Sequence, residues 1–437
     1  MTPTANHKVV TRARQLEFAR LSRLDRPRFN QEGPTIMKKR ILVALLALLA
    51  LVAASCGSDA ASDTATDEGS ETAEADTDSG TEVRAAWVMV APVGDAGWNF
   101  MHDQGRLGAE AATGVETAFV ESIPEGGAEF DNAVQNFIDQ GYNLIFTTSF
   151  GYMDATEQFA IDNPDVTFEH ISGFKMNDTN FSNAFGRMYQ PRYIAGMAAG
   201  AATTSNQIGY VAAFPIPEVI RGINAFALGV AATNPDAVVE VAWTSTWFDP
   251  GVEGNTAQAL IDAGADVLSM HQDSTATGQA ITDAGGTFIG YHSDMSAQVG
   301  AYLTAPVWDW SGRYSSVIEA VQDGSYVPEA FWGGMADGTV DIEIPDSSPV
   351  AAEMTEVKQS ILDGDFDVFD SGTITDQEGN VIIEDGVIQT ELLDPFGSDF
   401  DGDGNVDIVA SPGDQIHDGV LANMNFFVNN VVGSVSG

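Results

Sequence analysis

Along this chain, short apolar runs rich in strand-forming residues alternate with amphipathic segments of helical period. In the clearest case an apolar run at 208–214 precedes an amphipathic segment at 218–230, and a second apolar run follows at 238–243. This order of strand, helix and strand predicts a βαβ unit. Its strands are parallel and covered on both faces. The loop that follows them, 244–250, is therefore expected at the carboxyl edge of a sheet.

The same alternation occurs on both sides of this unit. An apolar run at 83–90, a loop at 91–99, a helix to about 112 and a strand at 115–122 form the first unit. Further strands are predicted at 143–148, 166–171, 182–187, 265–270, 287–291 and 340–344. Further helices are predicted at 128–140, 153–162, 190–204, 256–263, 275–283 and 307–323, with a turn at 331–335. These elements predict an α/β protein of two similar lobes with a ligand between them.

The N-terminal region has a different pattern, which is typical of an export signal. A basic segment at 37–40 and an apolar stretch at 41–54 lead to Cys56, the only cysteine of the chain. The stretch is shorter than the roughly 20 residues that a transmembrane anchor needs. The residues before Cys56 resemble the lipobox of bacterial lipoproteins, and a lipid anchor on Cys56 is expected to hold the protein on the extracytoplasmic face of the cell membrane. A free buried cysteine is the alternative. Translation is expected to start at Met37 rather than Met1.

The segment after Cys56 contains only small or acidic residues and Thr, and its composition predicts a disordered tether. The predicted organisation has eight parts: an N-terminal extension at 1–36, a lipoprotein signal peptide at 37–55, an acidic tether at 56–82, lobe one at 83–204, lobe two at 205–300, crossing segments that complete both lobes at 301–384, an acidic insert at 385–412 and a C-terminal segment at 413–437.

Charge narrows the possible partners. The chain has 437 residues and a formal net charge of −45, and Lys175 and Lys358 are its only lysines after Cys56. A surface this acidic repels nucleic acid and anionic lipid headgroups, so neither is an expected partner. Acidic, lysine-poor surfaces suit high-salt surroundings, where salt screens self-repulsion. A soluble acidic protein with no salt requirement is the equal alternative.

The loop at 94–99 follows the first strand and opens the first helix. It lacks the G-x-G-x-x-G pattern and a P-loop lysine, so a dinucleotide or NTP site is not predicted. Trp98 offers a stacking face, and Asp95 and Asn99 offer polar groups to a ligand. The competing interpretation is a capped helix start, with Asp95 or Asn99 as the cap and Trp98 as core.

Carboxylates, histidines and aromatic residues recur at the other predicted strand ends. His271, Asp273, His292 and Asp294 lack the H-x-x-H and H-E-x-x-H spacings of metal sites, and a metal is not predicted there. A G-x-S-x-G elbow and a catalytic cysteine are also missing from the sequence, so a binding protein is predicted rather than an enzyme. Aromatic faces with polar groups at their rim suit a small planar, hydrogen-bonding ligand.

Several motifs resemble the basic-membrane-protein family, whose members are substrate-binding lipoproteins of ABC importers. They are V-G-D-A-G-W-N at 93–99, F-G-Y-M-D at 150–154, N-P-D-V-T-F at 163–168, A-A-F-P-I-P-E-V-I-R-G-I-N-A-F at 212–226, W-T-S-T-W-F-D-P at 243–250 and G-Y-H-S-D-M-S at 290–296. The resemblance covers about 83–370 and resumes near 424–427. It implies the type I periplasmic-binding-protein fold, with two Rossmann-like lobes joined by a three-segment hinge that closes on a ligand.

The resemblance also implies a purine ligand. By analogy with the family, Trp247 stacks on the purine and Asp95 lies near it beside Trp98. His292 stands where nucleoside-binding members have an Asp, and Trp308 stands near the position of their Lys; both differences favour a free base over a nucleoside. The predicted ligand-binding residues are Asp95, Trp98, Asn99, Phe150, Asp154, Trp247, Asp273, His292, Asp294 and Trp308.

The expected partners are a purine or related metabolite and an ABC permease, with the chain itself a monomer. No cofactor is required. The alternative function is a ligand-sensing surface lipoprotein that presents its ligand to a signalling receptor.

One segment falls outside the family pattern. Residues 399–407 place acidic or amide groups at the relative positions of an EF-hand-like loop, with Gly at the sixth position. The position of the bidentate glutamate is Ala410. A weak structural Ca²⁺ site is the hypothesis, and an acidic surface turn is the alternative. The ligands would be Asp399, Asp401, Asp403, Asn405 and Asp407.

Overall fold

The computed structural model describes residues 82–370, 372–395 and 406–435. Cys56 and residues 57–81 of the tether lie outside these residues, as does the predicted calcium loop except for Val406 and Asp407. The lipid anchor and the calcium site therefore stay predictions. Within the described residues, no helix is long and apolar enough to cross a membrane.

Strands and helices alternate through most of the chain. The strands are β1 (Ala85–Val88), β2 (Thr117–Val120), β3 (Leu144–Thr147), β4 (Thr167–Ile171), β5 (Phe181–Gly186), β6 (Gln207–Ala212), β7 (Val238–Trp243), β8 (Val267–His271), β9 (Thr287–Ile289), β10 (Tyr302–Thr304), β11 (Pro306–Trp308), β12 (Ala330–Gly333), β13 (Val340–Ile342), β14 (Thr373–Thr375), β15 (Val381–Glu384), β16 (Val387–Ile388), β17 (Leu392–Leu393), β18 (Ile408–Ala410) and β19 (Val431–Val432). The helices are α1 (Trp98–Thr113), α2 (Ala128–Asp139), α3 (Met153–Asp162), α4 (Tyr189–Ala202), α5 (Pro217–Thr233), α6 (Pro250–Asp262), α7 (Ala276–Ala284), α8 (Ser311–Asp323), α9 (Ala351–Leu362) and α10 (Asp418–Leu421), with a 3-10 turn at Phe150–Tyr152.

Two parallel sheets form the cores of two lobes. The first has the order β12-β5-β4-β3-β1-β2 and the second the order β10-β9-β8-β6-β7-β19. Every pairing in both sheets is parallel. The inner strands are buried along almost their whole length because helices cover both faces. Trp87 of β1 stacks on Phe146 of β3 with ring centroids 4.3 Å apart. The prediction of two α/β lobes with parallel sheets is confirmed.

Over the residues that the structure describes, the chain passes between the lobes three times. It crosses at 187–188 between β5 and α4, at 309–310 between β11 and α8, and at 334–339 between β12 and β13. The segment between the second and third crossings thus lies in lobe one, where α8 packs on α1 and β12 forms an edge of the first sheet. Three crossing segments agree with the hinge that the resemblance implied.

Helix α4 packs on α5 of the second lobe, so the first crossing lies before this helix and not at 204, where the sequence placed it. Two glycines allow the close approach of these helices. A Cβ on Gly196 would lie 2.0 Å from the carbonyl oxygen of Phe226, and one on Gly229 would lie 1.9 Å from that of Tyr193. Side chains at either position would force the helices apart.

Other local predictions were wrong. Trp308 ends strand β11 instead of opening a helix at 307, because β11 pairs antiparallel with β13 and α8 starts only at Ser311. The segment predicted as a turn at 331–335 contains most of strand β12, because its backbone pairs in parallel with β5. Helix α6 begins at Pro250 and not at about 256, because Asp249 caps it by accepting hydrogen bonds from the N–H groups of Gly251 and Val252.

The C-terminal region docks on the second lobe. Strands β14, β15 and β16 form an antiparallel sheet, β17 pairs with β18, and β19 then joins the edge of the second sheet beside β7. The side chain of Asn224 in α5 binds the backbone just before β19: it donates to the carbonyl oxygen of Phe426 (2.7 Å) and accepts from the N–H of Val428 (3.0 Å).

Candidate binding cleft

A narrow cleft lies where the carboxyl ends of the two sheets face each other. Its free volume in this structure is about 20 Å³, so the walls lie close together and leave room for little more than a water molecule. Lobe one contributes Val90, Trp98, Ser149, Phe150 and Ser172 to its lining, and lobe two contributes Glu218, Trp247, His271, Asp273 and His292. This is the position at which open parallel sheets bind ligands.

Asp95 organises the lobe-one wall without reaching into the cleft. Its carboxylate accepts from the backbone N–H groups of Gly97 (2.7 Å), Asn99 (3.0 Å) and Phe100 (3.0 Å) and from Nδ2 of Asn99 (2.8 Å). Burial raises the pKa of Asp95 against the opposing effect of these hydrogen bonds. Both Asp95 and Asn99 thus fix the start of α1, which is the capping interpretation that the sequence left open.

The capped start of α1 fixes the ring of Trp98 in the cleft wall. Its Nε1–H donates to the carbonyl oxygen of Thr148 at 2.7 Å. Other aromatic rings surround it in edge-to-face contacts. The ring centroids of Trp308 and His292 lie 5.5 Å and 5.8 Å from that of Trp98. One side of Trp98 lines the cleft, so the ring is a rigid apolar surface there.

The two lobes touch directly beside Trp98. A Cβ on Gly97 would lie 2.6 Å from the carbonyl oxygen of Asp273, so backbone meets backbone at this point. The hydroxyl of Ser293 also donates to the carbonyl oxygen of Ala96 at 2.5 Å. The structure is therefore that of a closed cleft.

Two carboxylates join the lobes on the opposite side. Glu125 Oε1 accepts from Ser149 Oγ (2.6 Å), from the N–H of Gly151 (2.8 Å) and, across the cleft, from Trp247 Nε1 (3.3 Å). Glu218 of α5 accepts from Ser172 Oγ of lobe one at 2.6 Å. These bonds hold Trp247 and both serine hydroxyls in place.

His292 is held in one tautomer by Trp308. Nδ1 accepts from Trp308 Nε1 at 3.0 Å, so the proton of the neutral ring is on Nε2. Burial lowers the pKa of His292 well below its ordinary value, and the ring is neutral. Nε2 lies 3.0 Å from Asp273 Oδ1 but outside hydrogen-bond geometry, which leaves this N–H for a ligand. The backbone φ of 71° at His292 is strained for a non-glycine residue.

Asp273 is a carboxylate at the floor of the cleft and is only 2% exposed. Burial raises its pKa well above the ordinary value, and the nearby carboxylates of Asp95, Glu253 and Glu218 raise it further. Its charged form therefore lacks stabilisation in the ligand-free cleft. A ligand that donates hydrogen bonds to Asp273 would supply that stabilisation.

The predicted site residues fall into three groups. Trp98, Phe150, Trp247, Asp273 and His292 line the cleft. Asp95, Asn99 and Trp308 lie behind it and position the lining residues. Asp154 and Asp294 are exposed outside it: Asp154 pairs with Lys175 at 2.9 Å, and Asp294 accepts from the N–H of Ser296 at 2.8 Å.

Sequence reasoning did not select Val90, Ser149, Ser172, Glu218 and His271 as ligand-binding residues. Four of these are at or just beyond the carboxyl ends of predicted strands, which was the available signal. Glu218 lies in the first turn of α5, where a cap is the ordinary interpretation of a carboxylate. In the part of the chain that the structure describes, no group of three or more His, Cys, Asp or Glu residues could hold a metal ion.

Known proteins resemble this chain over the same region. A purine-binding protein of Brucella abortus is 39% identical over 312 residues, which cover 70% of this chain and 88% of the relative. An ABC transporter protein of Haloferax volcanii that is named for glucose binding, TsgA13, is 39% identical over 297 residues, covering 66% of this chain and 75% of the relative. A crystal structure of an ABC transporter solute-binding protein from Aeropyrum pernix aligns with a TM-score of 0.57 at 17% identity, over 65% of this chain and 92% of that one. This last likeness shows the fold, and the type I periplasmic-binding-protein prediction is confirmed.

A protein-family comparison agrees with the motifs. The family described as "ABC transporter substrate-binding protein PnrA-like" matches residues 82–378. Its members bind solutes and are not enzymes, which confirms the prediction that this chain is not an enzyme. The chain belongs to this Bmp family of ABC transporter substrate-binding proteins.

Proposed function

We propose that this protein captures a purine base in the cleft and delivers it to a membrane permease. The relative from Brucella abortus, named for purine binding, supports the ligand class. The family supports the role in import. The cleft itself supports the choice of a flat ligand that donates hydrogen bonds.

The observation that carries the proposal is the scarcity of free donors in the cleft. The indole N–H of Trp98 and the hydroxyls of Ser149 and Ser172 all donate to protein oxygens. The indole of Trp247 points to Glu125. Carboxylate acceptors remain, foremost Asp273. A ligand rich in acceptors would meet few partners there, whereas the ring and amino N–H groups of a purine base match the carboxylates.

Aromatic side chains supply the second requirement. Trp98 and Phe150 of lobe one and Trp247 of lobe two line the same narrow space. Purine rings are flat and apolar on their faces, so they gain from aromatic neighbours on both lobes. The His292 N–H offers one donor for a ring nitrogen.

A hexose is the second candidate, because the relative from Haloferax volcanii has the same sequence identity and is named for glucose binding. Sugar rings also stack on aromatic side chains, and their hydroxyls donate to carboxylates. A hexose carries hydroxyls around its whole ring and each of them accepts as well as donates, whereas the acceptors of a purine base are a few atoms at its edge. The shortage of free donors in this cleft therefore disfavours a hexose more than a purine base.

Titration calorimetry separates these candidates. The protein lacking residues 1–56 is titrated with adenine, guanine, hypoxanthine, xanthine, their nucleosides and glucose. We expect tight binding of one or more free bases and weak binding of the nucleosides. Asp273→Asn should weaken base binding, whereas Asp154→Asn, a matched change at an exposed site outside the cleft, should leave it unaltered. Tight glucose binding with no response to the bases would refute the proposal.

We also propose that Cys56 carries the lipid anchor that keeps the protein on the extracytoplasmic face of the membrane. The family's role in import and the signal-like segment before Cys56 support this location. Labelling with a radioactive fatty acid tests it. Label should appear in the wild-type protein and disappear in Cys56→Ser. Equal labelling of both proteins would contradict the anchor.

A further inference from the structure

A second, smaller cavity of about 10 Å³ lies behind the cleft, on the side of the first crossing segment, and has room for about one group of the size of water or a small ion. It shares Glu218 and His271 with the cleft. The rest of its lining comes from β5, the crossing segment, α4, α5 and the loop after β9: Phe185, Met188, Tyr189, Arg192, Arg221, Gly222 and Tyr291. None of these seven residues lines the cleft in which the purine is proposed to bind.

Arg192 brings a buried positive charge into this cavity. The residue is fully buried, and its Nη1 donates to the carbonyl oxygen of Met270 at 2.8 Å. Its guanidinium carbon lies 3.4 Å from the ring centroid of Tyr291. Nε and Nη2 have no hydrogen-bond partner among the described residues. Two buried guanidinium N–H groups without an acceptor are costly, which points to a binding partner.

The unpaired groups face a space that a glycine leaves open. A Cβ on Gly222 would lie 3.7 Å from Arg192 Nε and 4.0 Å from His271 Nδ1, and these are its nearest neighbours. Nδ1 of His271 also has no hydrogen-bond partner among the described residues. The polar atoms therefore converge on a pocket above the α5 backbone.

The charges around this cavity do not cancel. Arg192 and Arg221 contribute two positive charges, and Glu218 contributes one negative charge. His271 is neutral, because burial lowers its pKa to about 4. The tyrosines are neutral as well. Among the lining residues, the two guanidinium groups therefore outnumber the one carboxylate by one, and the nearest other carboxylates, Asp418 and Asp367, lie outside the lining beside Arg221 and Tyr189.

We propose that this cavity binds a small monovalent inorganic anion of the size of chloride, held by Arg192 Nε and Nη2 above Gly222. The anion would balance the surplus charge and accept the two unpaired hydrogen bonds. It would lie directly behind Glu218 and His271 and so support the lobe-two wall of the cleft. This inference does not depend on which ligand occupies the cleft.

Thermal unfolding of the full-length chain without purine tests the site. Unfolding is measured in potassium chloride, in potassium bromide and, at the same ionic strength, in potassium gluconate, whose anion is too large for the cavity. We expect a melting temperature higher by about 2 °C or more in the halides, since an anion that binds only the folded state stabilises it. Equal melting temperatures in all three salts would overturn the proposal.

Gly222→Ala separates this site from general salt effects. The added methyl makes ordinary contacts and fits the helix, but it fills the space in front of Arg192 Nε. The halide-specific difference should vanish in this variant and in Arg192→Gln. It should persist in Gly254→Ala, a helical glycine of α6 whose Cβ would lie 3.8 Å from Ala276 Cβ, far from the cavity lining. Persistence in Gly222→Ala would place the halide effect elsewhere.

Anomalous scattering from crystals grown in bromide identifies the occupant. A bromide peak at Arg192 in both the ligand-free and the purine-bound protein is the expected result. Two other results would overturn the proposal. One is water at this position in both states, and the other is an atom of the cleft ligand bonded to Arg192, which would make the cavity part of the ligand site.

Discussion

The two walls of the cleft are built on different principles. On lobe one, the polar groups around Trp98 bond to each other: Asp95 caps α1, Asn99 bonds to Asp95, and the indole bonds to a backbone carbonyl. On lobe two, Asp273 and the Nε2–H of His292 keep hydrogen-bonding capacity in a buried setting. Lobe one therefore supplies a rigid shape, and lobe two supplies groups that gain their partners from a ligand. Substitutions on lobe two should change affinity more than stability, and those on lobe one the reverse.

The largest effect is expected at Asp273. Asp273→Ala leaves a donor of the bound ligand unpaired in a buried site, which costs about 1–3 kcal/mol and weakens binding by up to roughly 100-fold. Calorimetric titration with the best ligand measures the change. An affinity within a factor of two of the wild type would show that Asp273 on the lobe-two wall does not contact the ligand.

Trp247→Ala should weaken binding roughly tenfold, the scale of losing one aromatic partner and its buried area. The same variant loses the contact with Glu125 that joins the lobes. Trp247→Phe is the control, because it keeps an aromatic face and lacks the indole N–H. Unchanged affinity in Trp247→Ala would assign the ligand face to Trp98 and Phe150 alone.

Asp95→Ala tests the structural role of the lobe-one wall of the cleft. Loss of a cap that accepts three backbone N–H groups should lower the free energy of unfolding by about 0.5–2 kcal/mol. Urea unfolding measures the loss, and titration of the same variant should show a smaller effect on affinity than Asp273→Ala. An affinity loss as large as that of Asp273→Ala, with unchanged stability, would make Asp95 a ligand residue after all.

The smallest effect expected is a pH dependence of the ligand-free protein. The folded-state pKa of Asp273 is raised, so its contribution to stability is fully present below the unfolded-state pKa of about 4 and is lost as pH rises through the folded-state pKa. Asp273→Asn should therefore raise the melting temperature at pH 7, and the gain should shrink towards pH 4. Asp154→Asn is the matched control. A gain that is constant with pH would mean that ionisation of Asp273 is not its cause.

The sequence predicted the framework of the molecule because that framework depends on periodic patterns. Helix α3 has the predicted bounds, and the βαβ unit from β6 to β7 is present within a few residues. The errors occur where tertiary pairing decides. Ala330–Gly333 becomes a strand only because β5 offers an edge, and Trp308 lies in a strand only because β13 pairs with it.

The cleft lies at the strand ends where the sequence predicts a site, and five of the ten predicted residues line it. Parallel topology places loops at the carboxyl ends of strands, and this rule selected Asp273 and His292, which line the cleft. The direction of a side chain within an irregular loop has no periodic signal. Asp154 and Asp294 therefore could not be distinguished from the residues that face the cleft. Glu218 stands in the first turn of a helix, where a cap is the ordinary interpretation, but it lines the cleft. Asp95 was predicted as a ligand-binding residue, but it caps α1 behind the cleft.

The contact between Gly97 and the backbone of Asp273 has a practical consequence. A Cβ at position 97 would overlap with the main-chain carbonyl of Asp273 in the other lobe. A single added methyl group would therefore prevent the two lobes from closing fully. The side chain of Asp273 and those of the other cleft residues would be unchanged. Gly97→Ala is thus a way to hold the open form in solution, where its larger radius of gyration could be measured by X-ray scattering even at saturating ligand.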